Sequence, residues 1–256
     1  MTAGDRLSPD RLGIVDWGIG GLGLLGHLDR DLPGLDVVYW SDTGFTPYGL
    51  VPTSVLAARL RAVVAELADQ GCTEVVLACN AASTVVDRLA DAPIPVAGII
   101  APGVAAVPVD LDGVVGVVGG RRTIRGGHYR RALTRPGLRV VSRVAQPLSA
   151  HIEAGRIGTP EFEQDLHRIV APLRGADAVI LACTHYPAAH DAFAAELPGT
   201  VLLDPAATMA ADLVARLTPG TGQRRITTTG APDLMRTSAR AAWGTDLPEI
   251  THVDLD

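Results

Sequence analysis

The sequence predicts an α/β protein built from two similar parallel-sheet halves that are related by pseudo-two-fold symmetry, with an active site in the cleft between them. Short apolar segments rich in valine and isoleucine alternate with longer segments of helical periodicity, which is typical of a parallel sheet covered on both faces. Two strand motifs also recur along the chain at nearly the same spacing. A length of 256 residues is compatible with one such domain or with two smaller ones.

The predicted strands are short runs rich in β-branched residues. In chain order they cover residues 12–15, 36–40, 74–78, 95–99, 114–118, 138–142, 178–182 and 201–203. A helix is predicted over 53–70, where apolar side chains recur every three or four positions. Another is predicted from Thr159 to about residue 173, because Thr159 suits the N-cap and Pro160 the first helical position.

An internal repeat divides the chain. EVVLACNAAS and AVILACTHYP start 104 residues apart, at positions 74 and 178, and LGIVDWG is matched by VGVVGGR at a similar distance. Two matches at nearly one spacing indicate two halves of similar plan. The predicted boundaries give a first half at 1–100, a second half at 101–210, and a terminal segment at 211–256 that packs back on the first half.

Two cysteines occupy equivalent positions in this repeat. Cys79 and Cys183 each follow a buried strand, and open α/β sheets place their ligands at the carboxyl ends of strands. If the halves face each other, the two thiols can flank one cleft. The alternative is that both are small buried hydrophobic residues, as most free cysteines are. Cys72 lacks such a setting and is assigned a structural role.

The glycine-rich segment at 13–23, GIVDWGIGGLG, raises a different hypothesis. Gly18, Gly20 and Gly23 have the spacing of a dinucleotide-binding turn, although one such motif is weak evidence for NAD. Asp16 immediately precedes these glycines, so its carboxylate would lie close to a pyrophosphate bound at the helix N-terminus. That proximity argues against a nucleotide.

The composition excludes several classes of function. None of the 22 basic residues is a lysine, so the Schiff base that holds pyridoxal phosphate cannot form. The histidines show no metal-ligand spacing such as HExxH, and we expect no cofactor and no metal. The net charge of −6 comes without a basic patch, which argues against nucleic acid and anionic membranes as partners.

The expected cellular setting follows from the same composition. Three scattered cysteines cannot form a disulfide framework and indicate a reducing, cytoplasmic compartment. No apolar run reaches the ~18 residues of a membrane span. The start of the printed chain lacks the basic and apolar regions of a secretory signal.

Four motifs together resemble those of glutamate racemases, members of the cofactor-independent aspartate/glutamate racemase superfamily. They are Asp16-Trp17-Gly18, Asp42 with Pro47-Tyr48-Gly49, Ala78-Cys79-Asn80 with Ser83, and Cys183-Thr184-His185-Tyr186-Pro187. The resemblance extends over essentially the whole chain, and the last motif is highly specific. In this family the glycine turn brings an aspartate and backbone donors to an amino acid, so the resemblance favours that role over NAD.

The resemblance implies racemisation by two bases on opposite faces of the substrate, each able to act as acid or base. Cys79 would work on the face presenting the proton of the D enantiomer and Cys183 on that of the L enantiomer. Asp16 would assist Cys79, while Glu153 and His185 would assist Cys183. For Glu153 the alternative is an exposed helix carboxylate, and for His185 it is a structural histidine.

The same motifs imply the contacts to the substrate. Asn80 and Thr184, each one residue after a cysteine, would bind the α-carboxylate and stabilise carbanion character beside it. The segment Pro47-Tyr48-Gly49 would help to bind the side-chain carboxylate. The alternative for Tyr48 is a core aromatic residue.

The sequence departs from the family pattern around the expected ligand. Trp17 and Ala81 stand at contact positions where the family has hydroxyl side chains. Phe45 replaces an arginine, and Gly126 replaces a serine. Lost donors are expected to weaken the recognition of glutamate. Trp17 could also fill part of the pocket or stack on an apolar substrate.

Three functions remain open from the sequence. The first is a cofactor-independent racemase or epimerase of a glutamate-like amino acid. The second is an isomerase or epimerase of a different, less polar carboxylic acid in specialised metabolism, with maleate isomerases as a minor case. The third is a non-catalytic binding protein, which the cysteine pair opposes. The expected partner is a small amino acid or carboxylic acid, and a homodimer is the assembly considered.

Overall fold

The computed structural model describes residues 9–255, and within them the strands form two sheets in which every pairing is parallel. The strands in chain order are β1 Arg11–Asp16, β2 Asp36–Ser41, β3 Glu74–Leu77, β4 Val96–Gly98, β5 Gly113–Gly119, β6 Leu138–Val144, β7 Ala178–Ala182, β8 Val201–Leu203, β9 Arg224–Thr228 and β10 Ile250–His252. The first sheet has six strands in the order β10-β9-β2-β1-β3-β4, and the second has four in the order β6-β5-β7-β8.

Helices connect these strands. They are α1 Leu22–Asp31, α2 Thr53–Asp69, α3 Asn80–Ser83, α4 Ile100–Ala105, α5 Arg121–Gly126, α6 His128–Leu133, α7 Gln146–Glu153, α8 Pro160–Val170, α9 His190–Glu196, α10 Pro205–Arg216 and α11 Pro232–Trp243. Short 3₁₀ turns lie at Val86–Leu89, Ala171–Leu173 and Tyr186–Ala189. In this part of the chain no helix is both long and apolar enough to cross a membrane.

The two sheets repeat one strand order. Strands β2-β1-β3-β4 of the first sheet correspond to β6-β5-β7-β8 of the second. The repeated sequence motifs lie on β1 and β5 and on β3 and β7, which are the two central strands of each set. The predicted fold class, two similar parallel α/β halves, is therefore confirmed.

Both faces of the first sheet are buried, as its continuous apolar strands predict. Along β2, Val37 and Tyr39 belong to one hydrophobic cluster, whereas Val38 and Trp40 belong to the other. Successive side chains of a strand point to opposite faces, so the two clusters are the helix-covered sides of one sheet. The second sheet likewise separates two clusters.

The predicted helices at 53–70 and after Thr159 are present with nearly the predicted bounds. Thr159 caps α8, since its hydroxyl oxygen accepts a hydrogen bond from the Phe162 backbone N–H at 3.3 Å. The prediction missed β9 and β10. Strand β9 begins with two arginines and β10 has three residues, so neither has the apolar run that identified the others.

The terminal region adds to the first sheet, because β9 pairs with β2 and β10 pairs with β9. Helix α10 begins after β8 of the second sheet, yet its buried Met209 and Leu213 belong to a core cluster of the first. The predicted boundary at residue 210 falls inside this helix, and residues 1–8 and 256 lie outside the described part. The division into 1–100, 101–210 and 211–256 stays a prediction.

Candidate active site

The carboxyl ends of both sheets meet between the halves. Asp16 ends β1, Cys79 follows β3 by one residue, and Cys183 follows β7 directly. Thr184 of the second half donates a hydrogen bond from its hydroxyl to Asp16 Oδ1 of the first, at 3.1 Å. The two thiols interact electrostatically, since Cys183 is among the groups that raise the pKa of Cys79. The sequence repeat thus brings both cysteines to one interface.

Cys79 lies in surroundings that favour its neutral thiol. Burial raises its pKa most, and the negative charge of Asp16 raises it further. Backbone N–H groups of Ala82 and Ala81 oppose this by hydrogen bonding to the sulfur, but the net direction is well upward. Cys79 therefore holds its proton at neutral pH in the ligand-free protein.

Cys183 has a different set of neighbours. Its Sγ lies 3.8 Å from His185 Nδ1, and His185 Nε2 lies 3.0 Å from Glu153 Oε2 at the end of α7. Burial lowers the pKa of His185, but the bonds to Cys183 and Glu153 outweigh it, and the pKa stands well above its ordinary value. His185 is therefore a buried imidazolium held between the thiol and the carboxylate.

The glycine turn after β1 is shaped by close packing between the halves. A Cβ on Gly20 would lie 2.2 Å from Thr184 Oγ1, and one on Gly18 would lie 2.9 Å from Glu153 Oε1. The Gly18 backbone N–H also donates to Asp16 Oδ2 at 3.0 Å. Only glycine lets this turn approach the second half so closely, which gives the glycine pattern a reason other than a nucleotide.

Asn80 presents an unused donor to the interface. Tyr129 of α6 donates its hydroxyl proton to Asn80 Oδ1 at 2.8 Å, which fixes the amide with Nδ2 free. Asn80 is 3% exposed, and Nδ2 has no hydrogen-bond partner among residues 9–255. A buried donor without a partner is costly, so this group is suited to an acceptor on a ligand.

The loop after β2 places Tyr48 in the core. Its hydroxyl donates to Asp42 Oδ2 at 2.8 Å, and Arg59 of α2 binds both oxygens of the same carboxylate, at 3.0 and 2.8 Å. Tyr48 is 1% exposed, whereas Pro47 and Gly49 are exposed on either side of it. The hydroxyl of Tyr48 is therefore committed to a buried ion pair.

Comparison with known proteins agrees with this architecture. The profile of the Asp/Glu/Hydantoin racemase family matches residues 36–213. The chain belongs to this family. It is accordingly an isomerase of the amino-acid racemase class, and a glutamate racemase from Symbiobacterium thermophilum is 33% identical over 95% of this chain and 94% of that protein.

Solved structures of the family superpose over nearly the whole chain. A glutamate racemase isoform from Bacillus anthracis has a TM-score of 0.88 at 28% identity, covering 96% of this chain and 98% of that one. The Francisella tularensis glutamate racemase, solved in complex with D-glutamate, has a TM-score of 0.86 at 26% identity, with coverages of 96% and 98%.

Three residues expected to depart from the family motifs lie on the Cys79 side of the interface. Trp17, Phe45 and Ala81 all pack against the hydrophobic cluster that Cys79 contacts. The indole N–H of Trp17 donates to the backbone carbonyl of Phe45 at 2.9 Å. The ring of Phe45 lies 4.8 Å from the guanidinium carbon of Arg59, a cation–π contact.

Sequence reasoning missed several polar groups of this racemase site. Asp42 was quoted only as part of a motif, and its buried partner Arg59 lies in the middle of a helical pattern without any local signal. Tyr129 and its bond to Asn80 were also missed. The arginine-rich run RRTIR, at 121–125, is the signal in the sequence for the cationic side chains of α5. Among the described residues no three metal-ligating side chains converge.

Proposed function

We propose that this protein is a cofactor-independent two-base racemase that inverts the α-carbon of an acidic, glutamate-like amino acid. The observation that carries the proposal is the pair of thiols at the carboxyl ends of β3 and β7, which lie at one interface in unlike surroundings. Inversion needs a base on one face of the α-carbon and an acid on the other. Binding alone gives no reason for two such thiols.

The unlike surroundings set the starting proton arrangement. Cys79 keeps its proton, because burial and Asp16 raise its pKa. The imidazolium of His185 is directed at the Cys183 sulfur and stabilises negative charge there. In the proposed mechanism Cys79 is therefore the acid, and Cys183, beside His185, is the base for the first substrate molecule.

From this state the L enantiomer would react first. The Cys183 thiolate removes the α-proton, and the Cys79 thiol delivers its own proton to the opposite face, which yields the D enantiomer. The α-carboxylate would accept a hydrogen bond from the free Nδ2 of Asn80, which lowers the energy of the carbanion-like transition state. After turnover the proton is on Cys183, and the enzyme is set for the D enantiomer.

Glutamate is the first substrate to test, because the relatives described above are named for it. A less polar carboxylic acid is the second candidate, favoured by the apolar Trp17 and Phe45 on the Cys79 side. Both candidates share the thiol pair and differ only in the group that occupies the side-chain pocket. Activity requires both thiols reduced, so we also propose a reducing compartment.

Incubation in deuterated buffer with a panel of L- and D-amino acids tests the proposal. The expected result is loss of optical activity together with one α-deuterium per turnover, fastest for glutamate. Dialysis against a chelator should leave the rate unchanged, and added pyridoxal phosphate should not increase it. Absence of exchange with every amino acid in the panel would contradict the proposed activity.

A further inference from the structure

A cleft of about 410 Å³ opens between the halves next to the thiol interface. Gly49, Thr53 and Thr84 line it from the first half, and Arg121, Arg122 and Arg125 of α5 line it from the second. The cleft is close to the proposed reaction centre, because Arg122 binds the hydroxyl of Thr84, and that hydroxyl donates at 2.7 Å to the carbonyl of Ala81, two residues after Cys79. The cleft is therefore lined on one side by the exposed loop next to Tyr48 and on the other by three cationic side chains.

Arg122 reaches across this cleft to the first half. Its Nε donates to Thr84 Oγ1 at 2.8 Å, Nη1 to the Val51 carbonyl at 2.8 Å, and Nη2 to Thr53 Oγ1 at 3.0 Å. All three acceptors are neutral. A guanidinium has five N–H donors, so one on each terminal nitrogen is left for a ligand.

The charge of Arg122 has no counter-ion in the described part of the chain. Arg121, Arg122 and Arg125 form no ion pair with a carboxylate of residues 9–255, whereas the buried Arg59 is paired with Asp42. Burial lowers the pKa of Arg122, as expected for a cation that has lost water without gaining an anion. The site thus holds a fixed positive charge that an incoming carboxylate would neutralise.

The position of this charge indicates which of the two carboxylates of an acidic amino acid would bind there. Gly49 belongs to the segment expected to bind the substrate side chain, but the hydroxyl of Tyr48 is already held by Asp42. Arg122 is the cation in this cleft that is held against the first half, at Val51, two residues after Gly49, and at Thr84, directly after α3. Gly49 and Arg122 line the same cleft, which places a cation beside the segment expected to bind the substrate side chain.

We propose that Arg122 binds the side-chain carboxylate of the substrate and thereby determines specificity for amino acids with an acidic side chain. This inference rests on the proposed racemase function, which supplies the acidic substrate. Charge-assisted bonds from a guanidinium to a carboxylate are directional and strong. Their loss is expected to reduce affinity for a dicarboxylate by about 10- to 100-fold.

Calorimetric binding of two unreactive acids tests the inference without relying on turnover. Glutarate has two carboxylates, and pentanoate has the same chain length with one. The wild type and an Arg139→Gln control, altered at an exposed arginine of β6, should prefer glutarate by about tenfold or more. Arg122→Gln should lose most of that preference, and Arg122→Lys should retain part of it. Thermal unfolding of each variant shows whether the fold is intact.

The outcomes separate this inference from the proposed function. If the wild type does not prefer glutarate, or if Arg122→Gln keeps the preference, Arg122 is not the carboxylate site, whatever the racemase assay shows. If Arg122→Gln weakens glutarate and pentanoate equally, Arg122 only bridges the halves and the inference is wrong. If the preference depends on Arg122 but no amino acid exchanges its α-proton, the anion site stands and the racemase proposal fails.

Discussion

The two halves share a strand order, but they surround their thiols with different groups. Cys79 is partly buried against an apolar cluster and has Asp16 as its charged neighbour. Cys183 has an imidazolium within 3.8 Å, itself bound to Glu153. The first setting favours a neutral thiol, whereas the second places a cationic ring beside the sulfur. Repetition of the fold supplies the opposed positions, and divergence of the neighbours gives each thiol a different electrostatic environment.

This difference indicates how one site can work in both directions. Identical surroundings would give equal populations to the two singly protonated forms, with the proton on one sulfur or on the other. The unlike neighbours instead favour the form in which Cys79 holds the proton, because burial and Asp16 raise its pKa. Each turnover then transfers the proton from one sulfur to the other, and solvent exchange restores the starting state.

Removal of either thiol should have the largest effect. Cys79→Ala and Cys183→Ala should each reduce racemisation by about a thousandfold or more, because one face then lacks its acid or base. In deuterated buffer Cys79→Ala should still exchange the α-proton of the L enantiomer, and Cys183→Ala that of the D enantiomer. The exchange by Cys183→Ala should be the slower one, since the remaining Cys79 holds its proton tightly.

Cys72→Ala is the matched control for these variants. Cys72 is 4% exposed, and burial raises its pKa to about 11, so it is an unreactive thiol outside the interface. Its replacement should leave the rate nearly unchanged. Racemisation by Cys79→Ala at the rate of the wild type would refute the two-base assignment.

The next effect should come from the group that distinguishes the two thiols. His185→Gln should lower kcat/KM by about 10- to 100-fold, because the sulfur of Cys183 loses its cationic neighbour. The equilibrium constant of a racemisation is one, so kcat/KM must fall equally in both directions. The asymmetry should instead be seen as a larger α-deuterium isotope effect for the L enantiomer than for the D enantiomer.

His167→Gln provides the control for that change. His167 also pairs with a glutamate, at 3.1 Å from Glu196, but this pair is exposed on the second half. Its loss should leave both the rate and the isotope effects unchanged. If His185→Gln alters the two isotope effects equally, His185 does not act specifically on Cys183.

Much of this arrangement could be predicted from the sequence, because it depends on local patterns. Continuous apolar strands and the internal repeat predicted two parallel sheets, and the cysteines were correctly assigned to the carboxyl ends of β3 and β7. Strands β9 and β10 were missed, because their stability comes from pairing at the edge of an existing sheet rather than from an apolar run.

The polar network of the site could not be predicted in the same way. The bond from Tyr129 to Asn80 joins residues 49 positions apart, and the bond from Arg59 to Asp42 depends on how α2 packs beside β2. No local spacing encodes either contact. The role of Tyr48 shows the same limit, since its motif suggested a ligand contact but its hydroxyl is bound to Asp42.

A smaller effect is expected from the apolar residues on the Cys79 side. Trp17→Ser should raise kcat/KM for glutamate relative to norvaline by about tenfold, by restoring a hydroxyl donor and removing apolar surface. Adding Phe45→Arg to Trp17→Ser should give a smaller gain in kcat/KM for glutamate. The new guanidinium would lie against the like charge of Arg59, which contacts the Phe45 ring in the wild type. Phe45→Leu is the control that removes the ring without adding charge.

Steady-state kinetics with both substrates tests this expectation. A wild type that already prefers glutamate strongly, with Trp17→Ser merely slower, would mean that Trp17 is part of a working glutamate site. The hypothesis of a less polar substrate would then be wrong. Trp17, Phe45 and Ala81 all lie on the Cys79 side. Neither Trp17→Ser nor Phe45→Leu should therefore alter the α-deuterium isotope effect for the L enantiomer, whose proton Cys183 removes.

The smallest effect should be on stability, and it concerns the Cys183 side alone. The pKa of His185 is raised in the folded protein, where Glu153 and Cys183 contact the ring. The folded state therefore binds this proton more tightly than the unfolded chain, whose histidine has a pKa near 6.5. The stabilisation is fully present below about pH 6.5 and is lost progressively as the pH rises to the raised value.

Thermal unfolding of the wild type and His185→Gln between pH 6 and pH 9 measures this contribution. The difference in Tm should be largest at pH 6 and should shrink by roughly 3 °C or more toward pH 9. His167→Gln should show little change over the same range, because its exposed pair is screened by water. A difference in Tm that stays constant from pH 6 to pH 9 would show that His185 has an ordinary pKa. The two thiols would then lack the electrostatic asymmetry on which the starting proton arrangement depends.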